Sequence, residues 1–455
     1  MRRVLLALLL LSCFRLNAQE LPLRIQQALS KLENDQQFRH SSISLYIVDG
    51  KSGQAIFKKN EQLGLAPASC QKIVTSVSAF EMLGYDYRYL TLLKRNGSII
   101  DGSLKGDIII EGFGDPTLGS WRWASTKEDR VLDLFSKAIT GKGIRKIEGK
   151  IIHNQDSWKQ AIADGWIWQD IGNYYGAGAF ALNWRENQYD IKLRSGNKIG
   201  DPVEITRTEP KLEGFNFVSE LYSEAMGSGD QAYIYLPIGG KTLYLRGTIP
   251  INENDFTISG AVPDPGNQLA SRLAAKLDKS ILPGSSKKIN ETGLIYEYKS
   301  PSLDSINYWF LKKSVNLYGE AFVKTIAFNK TRTGSTDTGI NLIRNFWLRN
   351  GIELAALKII DGSGLSPANR ITTDALVKIL QYAKTRSWYN SFYYSLPEIN
   401  GIKMKDGYIN GVRSYSGYVK SKDGNEYVFS FIVNNFDGSA ATAREKMWKL
   451  LDLLK

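Results

Sequence analysis

Histidine is nearly missing: 455 residues hold only His40 and His153. A three-histidine metal site is therefore excluded, and a Ser-His-Asp triad would have to use one of these two. Neither follows a G-x-S-x-G element, and His153 in "KIIHNQDSW" reads as an ordinary surface or packing residue. Cysteine is as scarce, with only Cys13 and Cys70. Long apolar runs are confined to the start, "MRRVLLALLLLSCFRLNAQE", where Arg2 and Arg3 precede an apolar stretch and Asn17-Ala18 closes it. Residues 1–18 are read as a cleaved secretory signal peptide, too short to span a bilayer. A lipoprotein start at Cys13 ranks second, because Phe14 and Arg15 suit a flexible tether poorly. The expected address is the periplasm or the outside of the cell, with no integral membrane segment in the mature chain.

Cleavage removes Arg2, Arg3 and Arg15 and no acid, so the net charge falls from +12 to +9. Cys70 then stands alone, which rules out an internal disulfide and zinc fingers, so stability has to come from the core. No compact Lys/Arg run argues for nucleic acid. The chain needs no cofactor or metal for the chemistry set out below, and a homo-oligomer is compatible with the sequence.

With histidine so rare, a nucleophilic serine would need another base, and lysine is the next candidate. "LAPASCQKIVTSVSAFEMLG" places Ser69 and Lys72 at the start of a helical pattern (Ile73, Val74, Val77, Phe80, Leu83) that Gly84 ends. A step of three stacks both side chains on one helix face. Two later segments belong with this one. "KKSVNLYGEAFVKTIA" holds Ser314 and Asn316 at the start of another helix, and "KMKDGYINGVRSYSGYV" holds Lys405, Asp406, Gly407 and Tyr408 before a hairpin.

Around these motifs the two ends of the chain match in kind. "SISLYIVDGKSGQAIFKKN" reads as a hairpin turning at Asp49–Gly53, and "SYSGYVKSKDGNEYVFSFIVNN" as another turning at Asp423-Gly424. Helical patterns flank both. The expected fold is α/β (α+β): an antiparallel sheet flanked by helices, split into residues 19–87 and 267–455. Residues 88–266, rich in short strands and turns, form a β-rich insertion.

S-x-x-K, then S-x-N, then a K-x-G element is the ordered set of penicillin-recognising serine acyl enzymes. With "GFGDPTL", "GWIWQDIGNYYGAGAFALNWREN" and "DGSGLSPANRIT", it resembles the D-alanyl-D-alanine carboxypeptidase/endopeptidase family of low-molecular-mass penicillin-binding proteins (class C, serine peptidase family S13). The 245 positions from Ser69 to Ser314 suit the branch of that family with a large insert. The resemblance implies a transpeptidase/β-lactamase-like fold, peptidoglycan muropeptides as substrate and β-lactams as inhibitors. It implies Ser69 as nucleophile, Lys72 as its base, Ser314 as proton relay and Asn316 as holder of substrate amide and lysine. Lys405 would supply a second positive charge, and the N–H groups of Ser69 and Tyr408 the oxyanion hole. Asp156 of "HNQDSW" would face the ammonium of the stem diamino acid.

One position departs. The family's third motif has a hydroxyl between Lys and Gly, and here Asp406 stands there. An ionised Asp only accepts hydrogen bonds and repels a carboxylate. Two alternatives therefore stay open beside the peptidase: a weakened or inactive peptidoglycan-binding relative, and a serine esterase or amidase on the same scaffold.

Overall fold

The computed structural model of the chain describes residues 20–154, 157–278, 281–285 and 292–455. The segment read as a signal peptide, Cys13 within it, and Asp156 lie outside the described residues. No helix among the described residues is long and apolar enough to cross a membrane.

Six antiparallel strands make the main sheet, in the order Glu398–Ile399, Ile402–Ile409, Val412–Lys420, Glu426–Asn434, Ser42–Asp49, Ala55–Lys59. The first hairpin turns where expected because Asp49 Oδ1 accepts from the N–H groups of Lys51 (3.0 Å) and Ser52 (2.6 Å). Ser42–Asp49 then pairs along its whole length with Glu426–Asn434, so the sheet is joined from both ends of the chain. Its strands are covered on both faces. Phe429, Phe431 and Val433 face the helix at residues 20–33 and the closing helix Ala440–Leu451. Val428 and Ile432, one step out of phase, face Thr373–Lys384 and belong to the core that Lys72–Leu83 and Asn316–Thr331 also share. Each such buried side chain contributes about 1.5–3 kcal/mol.

The insert has two parts. A five-stranded sheet runs Pro283–Ser285, Ile151–Asn154, Ile108–Gly112, Leu90–Asn96, Thr292–Lys299, and shares a core with the helices Glu128–Gly141 and Pro265–Leu277. Two three-stranded sheets share a second core, one centred on Gln188–Arg194 and the other on Thr242–Pro250. Two expectations shift here. The insert carries the helix Glu128–Gly141, which turns Val131, Leu132, Phe135 and Ile139 inward. The expected boundary at 267 falls inside a helix that packs on the insert, and Thr292–Lys299 pairs with Leu90–Asn96, so the insert's sheet reaches Lys299.

Candidate active site

The site begins at a strained step. Ala68 has φ +45°, a left-handed conformation that alanine adopts at a cost, and one 3₁₀ turn, Ala68–Gln71, leads into the helix Lys72–Leu83. What makes the strain tolerable is close packing from two sides. Gly364 comes so near that a Cβ there would sit 1.9 Å from the Ala68 carbonyl oxygen. On the opposite side, a Cβ on Gly407 would lie 2.8 Å from Ser69 N and 2.7 Å from Pro67 O. Only glycine lets the strand Ile402–Ile409 approach the nucleophile turn this closely.

Lys72 is fully buried, and its Nζ donates to three oxygens: Ser69 Oγ (2.9 Å), Asn316 Oδ1 (2.6 Å) and Ser363 O (2.7 Å). Burial, and then the positive charge of Lys405, bring its pKa down from 10.5 to about 7. Asn316 opens the helix Asn316–Thr331 and passes one of its own N–H groups to Tyr175 O (2.8 Å), which ties the insert to the site. Ser314, expected beside it, has φ +55° and makes no side-chain hydrogen bond among the described residues; its backbone turn delivers Asn316. The cap of that helix is Val315, so neither Ser314 nor Asn316 serves as an ordinary N-cap.

Lys405 is buried across from Lys72. Its Nζ donates to Asp406 O (2.7 Å) and Asp406 Oδ1 (2.8 Å). Burial alone would raise the Asp406 pKa, but the charge and hydrogen bond of Lys405, with Arg413 behind, hold it below the usual carboxylate range. Asp406 is therefore ionised at neutral pH. Strand alternation starts its side chain on the face of Tyr415, its register partner and a member of the core under the C-terminal helix. The carboxylate bends back over the strand edge to reach Lys405. Tyr408, 52% exposed, stands at the mouth with the Arg413 guanidinium 5.1 Å from its ring centroid. Cys70 is an inert neighbour: its thiol donates to Lys405 O (3.2 Å), and burial lifts its pKa to about 11.

The turn at Asp361–Gly364 carries more than the sequence showed. Buried Asp361 accepts from Gln71 Nε2 (2.8 Å), Gly364 N (2.8 Å), Ser366 N (2.7 Å), Asn369 Nδ2 (3.0 Å) and Trp166 Nε1 (3.0 Å). Glu320, one turn beyond Asn316, accepts from Gly362 N (3.0 Å), and Thr75 Oγ1 donates to Gly362 O (2.6 Å). Burial, then the nearby Asp361, push the Glu320 pKa up to about 8. These bonds aim the Ser363 carbonyl at Lys72. Asp361→Ala leaves several buried donors without a partner, and a loss of roughly 3 kcal/mol or more is expected. Calorimetry of the variant checks this, and an unchanged Tm refutes it.

The arrangement can deprotonate a serine. The acceptors Asn316 Oδ1 and Ser363 O each take one N–H of a neutral Lys72 amine, and the remaining lone pair faces Ser69 Oγ.

The D-Ala-D-Ala carboxypeptidase 3 (S13) family model matches residues 25–401 and 399–453. Among curated proteins, a D-alanyl-D-alanine carboxypeptidase of Actinomadura sp. (strain R39) is 26% identical over 442 residues, covering 87% of this chain and 78% of its own. The D-alanyl-D-alanine carboxypeptidase DacB of Haemophilus influenzae is 22% identical, covering 89% of this chain and 88% of its own. The crystal structure of penicillin binding protein 4 (dacB) from Haemophilus influenzae shares the fold with a TM-score of 0.79 at 20% identity, over 95% of this chain and 99% of that one. A second crystal structure of it, complexed with a novel β-lactam, gives a TM-score of 0.74. The mixed α/β architecture, the nearly full-length match and the Ser69–Lys72–Asn316 cluster agree: this chain belongs to the D-Ala-D-Ala carboxypeptidase 3 (S13) family.

Proposed function

We propose that the protein is a serine peptidase that cuts D-Ala-D-Ala-type bonds in peptidoglycan stem peptides through an acyl-enzyme on Ser69, in the periplasm or outside the cell. The observation that carries this reading is the hydrogen bonding of Lys72, whose two acceptor-only partners leave its lone pair for Ser69. Ser69 Oγ bonds to the substrate carbonyl carbon as its proton passes to Lys72 Nζ. The C–N bond then breaks, and that proton goes to the leaving amine, with Ser314 as relay. Water next attacks the ester, Lys72 takes its proton, and the acid product leaves as Ser69 regains a hydrogen. The turn at Ser69, against the backbone of Gly407 and Tyr408, is where N–H groups stabilise the tetrahedral oxyanion.

A second reading, a peptidoglycan-binding relative with a weakened site, is favoured by one feature, the ionised Asp406 paired to Lys405. Intact-mass analysis after prolonged incubation with penicillin separates the two, run beside Ser69→Ala and Asp406→Thr. Penicillin opens without losing an atom, so an acyl-enzyme gains the whole drug mass: the peptidase reading expects this on the wild type, and a gain on Asp406→Thr alone marks the weakened site. Ser69→Ala should show none. If neither Ser69-containing protein is labelled, the serine-enzyme reading fails.

A further inference from the structure

In the Lys405–Asp406 pair the negative half is the exposed one. The lysine side chain is 2% exposed, while the aspartate side chain is 39% exposed. Lys405 Nζ is committed to the carbonyl and carboxylate of Asp406, and Arg413 lies over the Tyr408 ring. What meets a ligand at this point is an acceptor-only carboxylate.

Its position decides what it touches. The strand Ile402–Ile409 is paired on one side by Val412–Lys420 throughout. On the other side Glu398–Ile399 pairs only with Ile402 and Lys403. From Met404 onward that edge has no strand partner among the described residues, and Gly407 abuts the Ser69 backbone. An extended peptide can add to this edge with its scissile carbonyl at Ser69. The end group of the residue just past the scissile bond then falls beside Asp406. A free carboxylate there meets a like charge in a partly buried setting, where salt screens weakly. A carboxamide instead donates N–H into the open lone pairs of Asp406.

We propose that Asp406 sets the specificity of this serine site toward substrates whose leaving residue ends in an amidated, uncharged carboxyl group, against those ending in a free carboxylate. The inference rests on the serine-peptidase reading above. It locates the discrimination in one side chain, because Asp406 adds both the attraction for the amide and the repulsion of the acid.

Two synthetic peptides test it, identical up to a final D-Ala-D-Ala that ends in carboxylate or in carboxamide. A neutral activated ester without a carboxylate serves as an independent reporter of Ser69 acylation. The wild type is expected to cleave the carboxamide with a kcat/KM about tenfold or more above that of the acid. Asp406→Thr should reverse the order, and Asp406→Asn should abolish the preference, with each peptide's kcat/KM divided by the ester rate of the same variant. Equal or better cleavage of the acid by wild type overturns the proposal. So does a preference that survives in Asp406→Thr. Neither peptide cleaved, with Ser69 still labelled by the ester, rejects the substrate class and leaves the serine reading in place. No labelling of Ser69 by the ester rejects both.

Discussion

Replacing Lys72 by Met is expected to slow acylation of Ser69 by about 10³-fold, the contribution of a well-placed general base. The side chain keeps its length and its apolar surroundings, including the Phe310 ring whose centroid lies 5.8 Å from Nζ. What disappears is the lone pair aimed at Ser69 Oγ. The wild-type pH profile supplies a second readout. Lys72 has a native pKa of about 7, depressed chiefly by burial. Below that value the ammonium has no lone pair, so the acylation rate should fall as pH drops through 7 and level off above it. The linkage to stability has the same direction. Between about pH 7 and 10.5 the unfolded chain still holds a proton that the native lysine has lost, so this group makes the fold more stable as pH rises. Stopped-flow acylation across pH 5 to 9 checks the first claim, for wild type and for Lys72→Met. A variant within tenfold of wild type, with an acid limb still near 7, means that Lys72 is not the base.

Gly407→Ala is expected to cost about 10²-fold in acylation rate, the penalty for moving reacting groups by roughly an ångström. The added Cβ would lie 2.3 Å from Ser414 Oγ, 2.7 Å from Pro67 O and 2.8 Å from Ser69 N. Ser414 cannot swing clear cheaply, since its hydroxyl donates to Pro67 O at 2.5 Å, and the other two atoms are backbone. The strand therefore has to back away from the nucleophile turn. Thermal unfolding and acylation are measured on one preparation. A rate loss much larger than the accompanying drop in Tm explains is the expected pattern, and an unaltered rate would show that the strand edge does not set the site.

The three side chains that meet at Lys72 were legible before the fold was known, while Ser314, expected with them, makes no side-chain bond among the described residues. Ser69 and Lys72 announce each other by spacing, and Asn316 by its place at a helix start. The parts written in backbone were not. Lys72 is held by the Ser363 carbonyl and Asn316 by that of Tyr175, and a carbonyl has no residue identity to read. The helix Lys72–Leu83 exposes a different limit. Its helical pattern rests on Ile73, Val74, Val77, Phe80 and Leu83, yet Thr75, Ser76 and Ser78 are also buried. Each is partnered by something distant in sequence: Gly362 O, Asn307 Oδ1 and Trp347 Nε1. Short polar side chains look like solvent-facing positions until those partners are known. In the fold, the hairpins at both ends were readable from their turns. The end of the insert, expected at 266, was misplaced because Thr292–Lys299 finds Leu90–Asn96 across about 200 residues with no local signal. The helix Glu128–Gly141 had such a signal, since Val131, Leu132, Phe135 and Ile139 recur at helical spacing. The misfit at Asp406 was plain in the sequence, but its partner and ionised state were not.

The pairing of Ser42–Asp49 with Glu426–Asn434 also governs when the site around Ser69 can assemble. The insert closes its own cores within residues 90–299, whereas the sheet behind Ser69 waits for the strand Glu426–Asn434. Gly407, Lys405 and the Asn434 side chain that accepts from Ala66 N all arrive after some 400 residues of chain have been synthesised. A growing polypeptide can carry Ser69 and Lys72 for most of its synthesis without owning a catalytic centre. Assembly of the site thus depends on contacts such as that between Ala66 and Asn434, 368 positions apart, a slow kind of loop closure.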